Sequence, residues 1–147
     1  MQVSARNQLI GTVSEIKEGA VNNEVVLSLG NGEQLTTVIT CESCKTLGLE
    51  VGKEAVAIIK APWVVLATPD CGLQFSARNQ FNGKISNIIE GAVNSTVLLV
   101  TDKGVELTAV ITNESLKEMA LTKGGDIIAL VKASSVILAT RQWLQRR

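Results

Sequence analysis

Short runs of β-branched and aliphatic residues, separated by turn-forming ones, recur along the whole chain. From Leu9 the stretch LIGTVSEIKEG reads as a strand closed by a glycine turn. EVVLSLGNGEQLTTVIT follows as two strands joined at Gly30-Asn31-Gly32, a strong hairpin signal. CESCKTLGL is the helical candidate: Thr40 suits the N-cap, Glu42 the first turn, and Gly48 the close. AVAIIKAPWVVLAT then predicts one long strand or two short ones around Pro62. The same order returns further along, with Asp102-Lys103-Gly104 at the hairpin. About five strands and one short helix in a unit of roughly 65 residues predict an all-β protein of two tandem OB-like β-barrels.

That recurrence is a true duplication. Ser4 falls on Ser76, an offset of 72 residues that holds without a gap through Thr68 and Thr140. Roughly half of the aligned positions are identical, far above chance. The expected layout is a first domain at 1–68, a linker at 69–74 containing Pro69 and Gly72, a second domain at 75–140, and a basic tail at 141–147. The repeat also filters motifs. Cys41 and Cys44 have CxxC spacing but map onto Asn113 and Leu116, and with no histidine in the chain a zinc site lacks its remaining ligands. GLEVGK has three residues between its glycines where a phosphate loop needs four, and its counterpart ALTKGG lacks the first glycine. No metal site is expected, and a role for Cys41, Cys44 or Cys71 stays open.

Composition narrows the partners. Lys+Arg and Asp+Glu both total 14, so no positive footprint for nucleic acid is present. Charged residues are only 19% and hydrophobic ones 46%, which predicts surface hidden between copies of the chain. The opening MQVSARNQLIG has arginine and asparagine where a signal peptide needs an apolar region, and the apolar run Ala55 to Ala67 is broken by Lys60 and Pro62. A cytoplasmic protein with no membrane partner is expected.

The polar residues present in both copies are Ser4/Ser76, Arg6/Arg78, Asn7/Asn79, Asn22/Asn94, Thr40/Thr112, Ser43/Ser115 and Lys60/Lys132. On a strand, the serine and arginine of each SARN would share a face. Lys60 and Lys132 lie inside otherwise apolar strand segments, a costly place for an unpartnered cation. The set is mostly donors, which suits a fully deprotonated oxyanion; a handful of charge-assisted hydrogen bonds, each about 1.5–3 kcal/mol, supports micromolar or tighter binding. With no histidine, no repeated cysteine and no carboxylate pair, no catalytic residues are expected. Each residue also has a plainer role: Arg6 in a surface ion pair, Thr40 as a helix cap, Ser43 as a structural hydroxyl, Asn7 and Asn22 in turns, Lys60 snorkelling to solvent. An OB-type barrel that binds single-stranded nucleic acid is the alternative, but Phe75, Phe81, Trp63 and Trp143 do not repeat as a stacking platform.

SARNQL, EGAVNNEVVLSL, VITCESCKTLGLEVGKE and IIKAPWVVLAT together resemble the Mop domain of molbindins, small cytoplasmic molybdate-binding proteins, and both copies are similar to it. The resemblance implies OB-like barrels, a homotrimer of two-domain chains, and molybdate or tungstate bound at interfaces between domains for molybdenum storage or homeostasis, with no cofactor. It implies as ligands Ser4, Arg6, Thr40, Ser43, Lys60 and the Ala61 N–H in the first copy. In the second they are Ser76, Arg78, Thr112, Ser115, Lys132 and the Ala133 N–H. The turns Ala20-Val21-Asn22 and Ala92-Val93-Asn94 are implied as backbone donors to a second kind of site. The same domain serves as the sensor of molybdate-responsive regulators, whose helix-turn-helix has no counterpart ahead of Ser4 in this sequence. Ala61-Pro62-Trp63 in the first copy stands where the second has Ala133-Ser134-Ser135, which predicts non-equivalent sites or interfaces.

Overall fold

The computed structural model describes residues 3–141. In the first half, β1 (Asn7–Lys17), β2 (Asn22–Gly30), β3 (Glu33–Thr40), α1 (Cys41–Leu47), β4 (Glu54–Ile59) and β5 (Val65–Ala67) follow in order. The second half repeats them as β6 (Asn79–Glu90), β7 (Asn94–Thr101), β8 (Glu106–Thr112), α2 (Asn113–Glu118), β9 (Asp126–Val131) and β10 (Ile137–Ala139). The segment around Pro62 resolves into two short strands. A 3-10 turn at Ala61–Trp63 separates β4 from β5, and another at Ala133–Ser135 separates β9 from β10. Pro62 sits at the start of the first turn, where a missing N–H costs nothing.

All the strand pairs are antiparallel, and each long first strand bends at a register shift, between Val13 and Glu15 in β1 and between Ile85 and Asn87 in β6. Such bulges raise the local twist, which lets a five-stranded sheet curl into an OB-like barrel. Gly83 lies just before the second bend. A Cβ there would stand 2.4 Å from the Val100 carbonyl oxygen and 2.9 Å from the Thr101 Cα. Only hydrogen allows β6 and β7 to approach this closely.

In sequence the repeat pairs Ser4–Thr68 with Ser76–Thr140; in space each half lends its last strand to the other. The sheet orders are β10-β4-β1-β2-β3 and β5-β9-β6-β7-β8. Ile137, Leu138 and Ala139 pair with Ile58, Ala57 and Val56, while Val65, Leu66 and Ala67 pair with Leu130, Ala129 and Ile128. One core cluster draws on both halves, from Val25, Leu27 and Ile59 to Leu99, Ile127 and Val131, and takes in Val64, Leu66, Val136 and Leu138 from the exchanged segments. Fully burying an aliphatic side chain contributes about 1.5–3 kcal/mol, so the exchanged strands bind the halves tightly.

Two buried asparagines complete the weave. The Asn79 amide donates to the carbonyls of Val131 at 3.1 Å and Thr36 at 2.8 Å, and accepts the Thr36 N–H at 2.7 Å. Asn7 does the same with Ile59 at 3.2 Å and with Thr108 at 2.8 and 2.7 Å. Each amide therefore acts as one extra strand residue against the edge strand of the opposite sheet. Asn7 is not a turn residue.

The helix ends differ in one informative way. Gly48 closes α1 at φ 63. Its repeat partner is Ala120, which adopts φ 52 after α2. A Cβ in the left-handed region costs about 1 kcal/mol. Ala120→Gly should therefore raise stability by about 0.5–1 kcal/mol in urea unfolding; a neutral or destabilising result would show that the turn carries no strain.

Candidate functional site

Strand register brings the Ser-Ala-Arg-Asn stretches together with Lys60-Ala61 and Lys132-Ala133. Asn7 and Ile59 are the last pair of the β1–β4 ladder, and Asn79 and Val131 the last of β6–β9. Arg6 and Lys60 thus step off the same end of one ladder, and Arg78 and Lys132 off the same end of the other. The serine and arginine do not lie on a strand: β1 and β6 begin only at the asparagines. Alternation holds through the lead-in all the same, with Ser4 and Arg6 exposed, Ala5 half-buried and Asn7 buried. The lysines are not inside strands either. Lys60 and Lys132 are exposed and stand just before the 3-10 turns, so neither ammonium is desolvated.

In the second copy these groups line one hollow of about 510 Å³, with Ser76, Arg78, Lys132, Ala133 and Ser134 on one side and Val38 and Val65 of the first half on the other. No acidic residue lines it. In the first copy Lys60 lies over the Trp63 ring, 5.6 Å from its centroid, a cation–π contact that Ser135 cannot reproduce beside Lys132. The Pro-Trp departure therefore changes how that lysine is held.

Thr40, Ser43, Thr112 and Ser115 do not line this hollow. They cap the helices. Thr40 Oγ1 accepts the Ser43 N–H at 3.0 Å and donates to Ser43 Oγ at 2.8 Å, and Thr112 with Ser115 repeats this at 3.1 and 2.9 Å. Their neighbours are the Ala-Val-Asn turns. Thr40 faces Asn22 across the β2–β3 ladder, and Thr112 faces Asn94 across β7–β8. The Cys41 N–H donates to the Val21 carbonyl at 2.8 Å, and the Asn113 N–H to that of Val93 at 3.0 Å. The repeated polar residues thus fall into two groups: serine, arginine, lysine and the following alanine in one, and the threonine–serine cap with the Ala20–Asn22 or Ala92–Asn94 turn in the other. Thr40, Ser43 and the acidic Glu42 line a second hollow of about 510 Å³, closed by Val136 and by Ile137 and Leu138 of the exchanged β10. Val21 and Val93, each 70% exposed, project from their turns.

Glu24 is a residue that repetition could not reveal, because its counterpart is Thr96. Its carboxylate grips the Arg78 guanidinium fork to fork, at 2.8 and 2.9 Å. Hydrogen bonding to Arg78 holds the Glu24 carboxyl below the ordinary glutamate range, against a smaller desolvation effect that raises it. A carboxylate with a depressed folded pKa stabilises the fold above its unfolded value, near 4.3, and loses that contribution as pH falls through the depressed value. Glu24→Gln should thus cost a little stability at neutral pH, and the gap to the parent should close in acid below about pH 4. Thermal melts across pH 2–7 measure it; a gap that widens in acid would refute the pairing.

The thiols stay apart from these groups. Cys44 is buried in the core, Cys41 donates to Asn23 Oδ1 at 3.0 Å, Cys71 is exposed, and all three are free. Among the described residues no three His, Cys, Asp or Glu side chains cluster as a metal site. No helix there is long and apolar enough to cross a membrane. Trp143 and the rest of the basic tail after Arg141 lie outside the described residues; Arg141 itself pairs with Glu54 at 3.1 Å.

The TOBE domain family matches the chain twice, at residues 3–66 and 76–138. The crystal structure of a cytoplasmic molybdate-binding protein, ModG, with molybdate bound superposes with a TM-score of 0.90 and 48% identity, covering 96% of this chain and 100% of that one. The molybdenum-pterin-binding protein MopA of Rhodobacter capsulatus is 42% identical over 139 residues, 95% of this chain and 52% of its own. The molybdenum transport protein ModE of Azotobacter vinelandii is 40% identical over 139 residues, 95% of this chain and 51% of its own. The chain spans about half the length of the curated relatives it matches. Two matched domains, a full-length structural superposition and the doubled Ser-Ala-Arg-Asn and Lys-Ala stretches agree: the chain belongs to the TOBE family, as a tandem pair of Mop domains of the molbindin type.

Proposed function

We propose that this protein binds molybdate or tungstate, without catalysis, at sites between barrels, and so stores or buffers the oxyanion in the cytoplasm. The observation that carries this reading is the hollow at the junction of the halves where Ser76, Arg78, Lys132 and Ala133 meet without an acidic lining residue. A tetrahedral dianion accepts hydrogen bonds in every direction and offers none, which such a lining matches. Hydrogenphosphate is disfavoured because no carboxylate lines the hollow to accept its proton, and sulfate is distinguished by size alone. Ser4, Arg6, Lys60 and Ala61 form the equivalent set of the first half. The Thr40–Ser43 and Thr112–Ser115 caps, with the Ala20–Asn22 and Ala92–Asn94 turns, form a second class of site.

The sites are completed by association of chains, in a homotrimer. Exposed Ile10, Trp63, Val65 and Ile137 support this, since they leave apolar area that a second copy can cover. The single-strand nucleic-acid alternative lacks a repeated stacking platform: Trp63, Phe75 and Phe81 correspond to Ser135, Val3 and Leu9, and Phe81 is only 5% exposed. Calorimetry of the purified chain tests the reading. Molybdate and tungstate should release heat at micromolar concentration while equimolar sulfate gives far less; a folded protein silent to molybdate would refute it.

A further inference from the structure

The two halves carry the same Ser-Ala-Arg-Asn motif, yet their arginines have different neighbours. Arg78 gives two guanidinium N–H groups to Glu24. Arg6 makes no ion pair among the described residues, and the position equivalent to Glu24 holds Thr96, half-buried as Glu24 is. We propose that Glu24 is a tethered competitor for the Arg78 guanidinium, making the Arg78 site the weaker of two otherwise matched oxyanion sites. This rests on the reading of Arg6 and Arg78 as oxyanion ligands.

The competition follows from the shape of the fork. A carboxylate and a tetrahedral oxyanion both seek the parallel N–H pair of an arginine, and one pair serves one bidentate partner at a time. Arg78 lines the hollow with Ser76 and Lys132, so an anion settling there must displace the carboxylate or accept a poorer set of donors. Displacement leaves no bare charge. Lys17 Nζ stands 4.0 Å from Glu24 and receives the carboxylate when Arg78 turns away. No such exchange precedes binding at Arg6, because a threonine hydroxyl does not hold a guanidinium. One repeated ligand set thus yields two affinities, and the Arg78 site fills last and empties first.

Molybdate titrations of the full chain by calorimetry test this, with Arg6→Ala and Arg78→Ala marking which binding class belongs to which arginine. Glu24→Thr, which copies the second half, should tighten the Arg78 class by roughly two- to fivefold. Thr96→Glu, which installs the competitor opposite Arg6, should weaken the Arg6 class by a similar factor. Melting curves establish that each variant is folded, and the two changes act in opposite directions, so general destabilisation cannot imitate the pair. Unchanged or weaker binding in Glu24→Thr, or an unaffected Arg6 class in Thr96→Glu, overturns the competitor role while leaving the arginines as ligands. If neither arginine variant alters the titration, the ligand assignment itself fails and this inference falls with it.

Discussion

Asn79→Ala should cost about 3 kcal/mol of folding stability, and Asn7→Ala a similar amount. Each amide makes three hydrogen bonds, one of them fully buried, and both asparagines are only 3% exposed. The substitution strands the half-buried Thr36 N–H and carbonyl and removes the buried bond to the Val131 carbonyl, and an unsatisfied buried group costs about 1–3 kcal/mol. Asn79→Asp is the sharper variant. It keeps the acceptor for Thr36 N–H but sets a carboxylate against two carbonyl oxygens, so it should fare no better than alanine. Urea unfolding followed by tryptophan fluorescence reports both. A loss under about 1 kcal/mol would show that the strand exchange alone joins the halves.

Replacing both arginines should remove most oxyanion binding. Arg6→Ala and Arg78→Ala each delete a permanent cation with a two-pronged donor face, worth about 10- to 100-fold in affinity at its own site. Lysine should restore only part of this, since an ammonium keeps the charge and loses the fork. The exposure of both arginines in the structure implies little effect on the fold beyond loss of the Glu24 pair. Calorimetry with molybdate decides: unchanged affinity in the folded double variant would make the arginines structural.

Much of this architecture was legible in the residues. Gly30-Asn31-Gly32 announced the hairpin, and all three take positive φ, from 53 to 95. Thr40, Glu42 and Gly48 marked the helix, and each stands where expected. The strand exchange was hidden for a definite reason. Because the last strands of the two repeats are nearly alike, Val64-Val65-Leu66-Ala67 and Val136-Ile137-Leu138-Ala139, pattern alone cannot choose whether β5 pairs with β4 or β9. Joint repetition singled out polar residues that one chain holds in two separate groups. Thr40 and Ser43 repeat as faithfully as Arg6 and Lys60, although register places them at the far end of other strands, beside the Ala-Val-Asn turn. A turn role for Asn7 does not hold, because a side chain that mimics a strand residue leaves no periodic mark. Glu24 was invisible to repetition, since a residue found in one copy alone falls through a filter built on it.

Anomalous diffraction at the molybdenum edge, from crystals of the chain grown with molybdate, addresses the central assignment directly. A molybdenum peak within hydrogen-bonding reach of Ser76 Oγ, the Arg78 guanidinium, Lys132 Nζ and the Ala133 N–H is the predicted result. Peaks only elsewhere, with Arg78 still clasped to Glu24 and Lys132 extended into solvent, would contradict it.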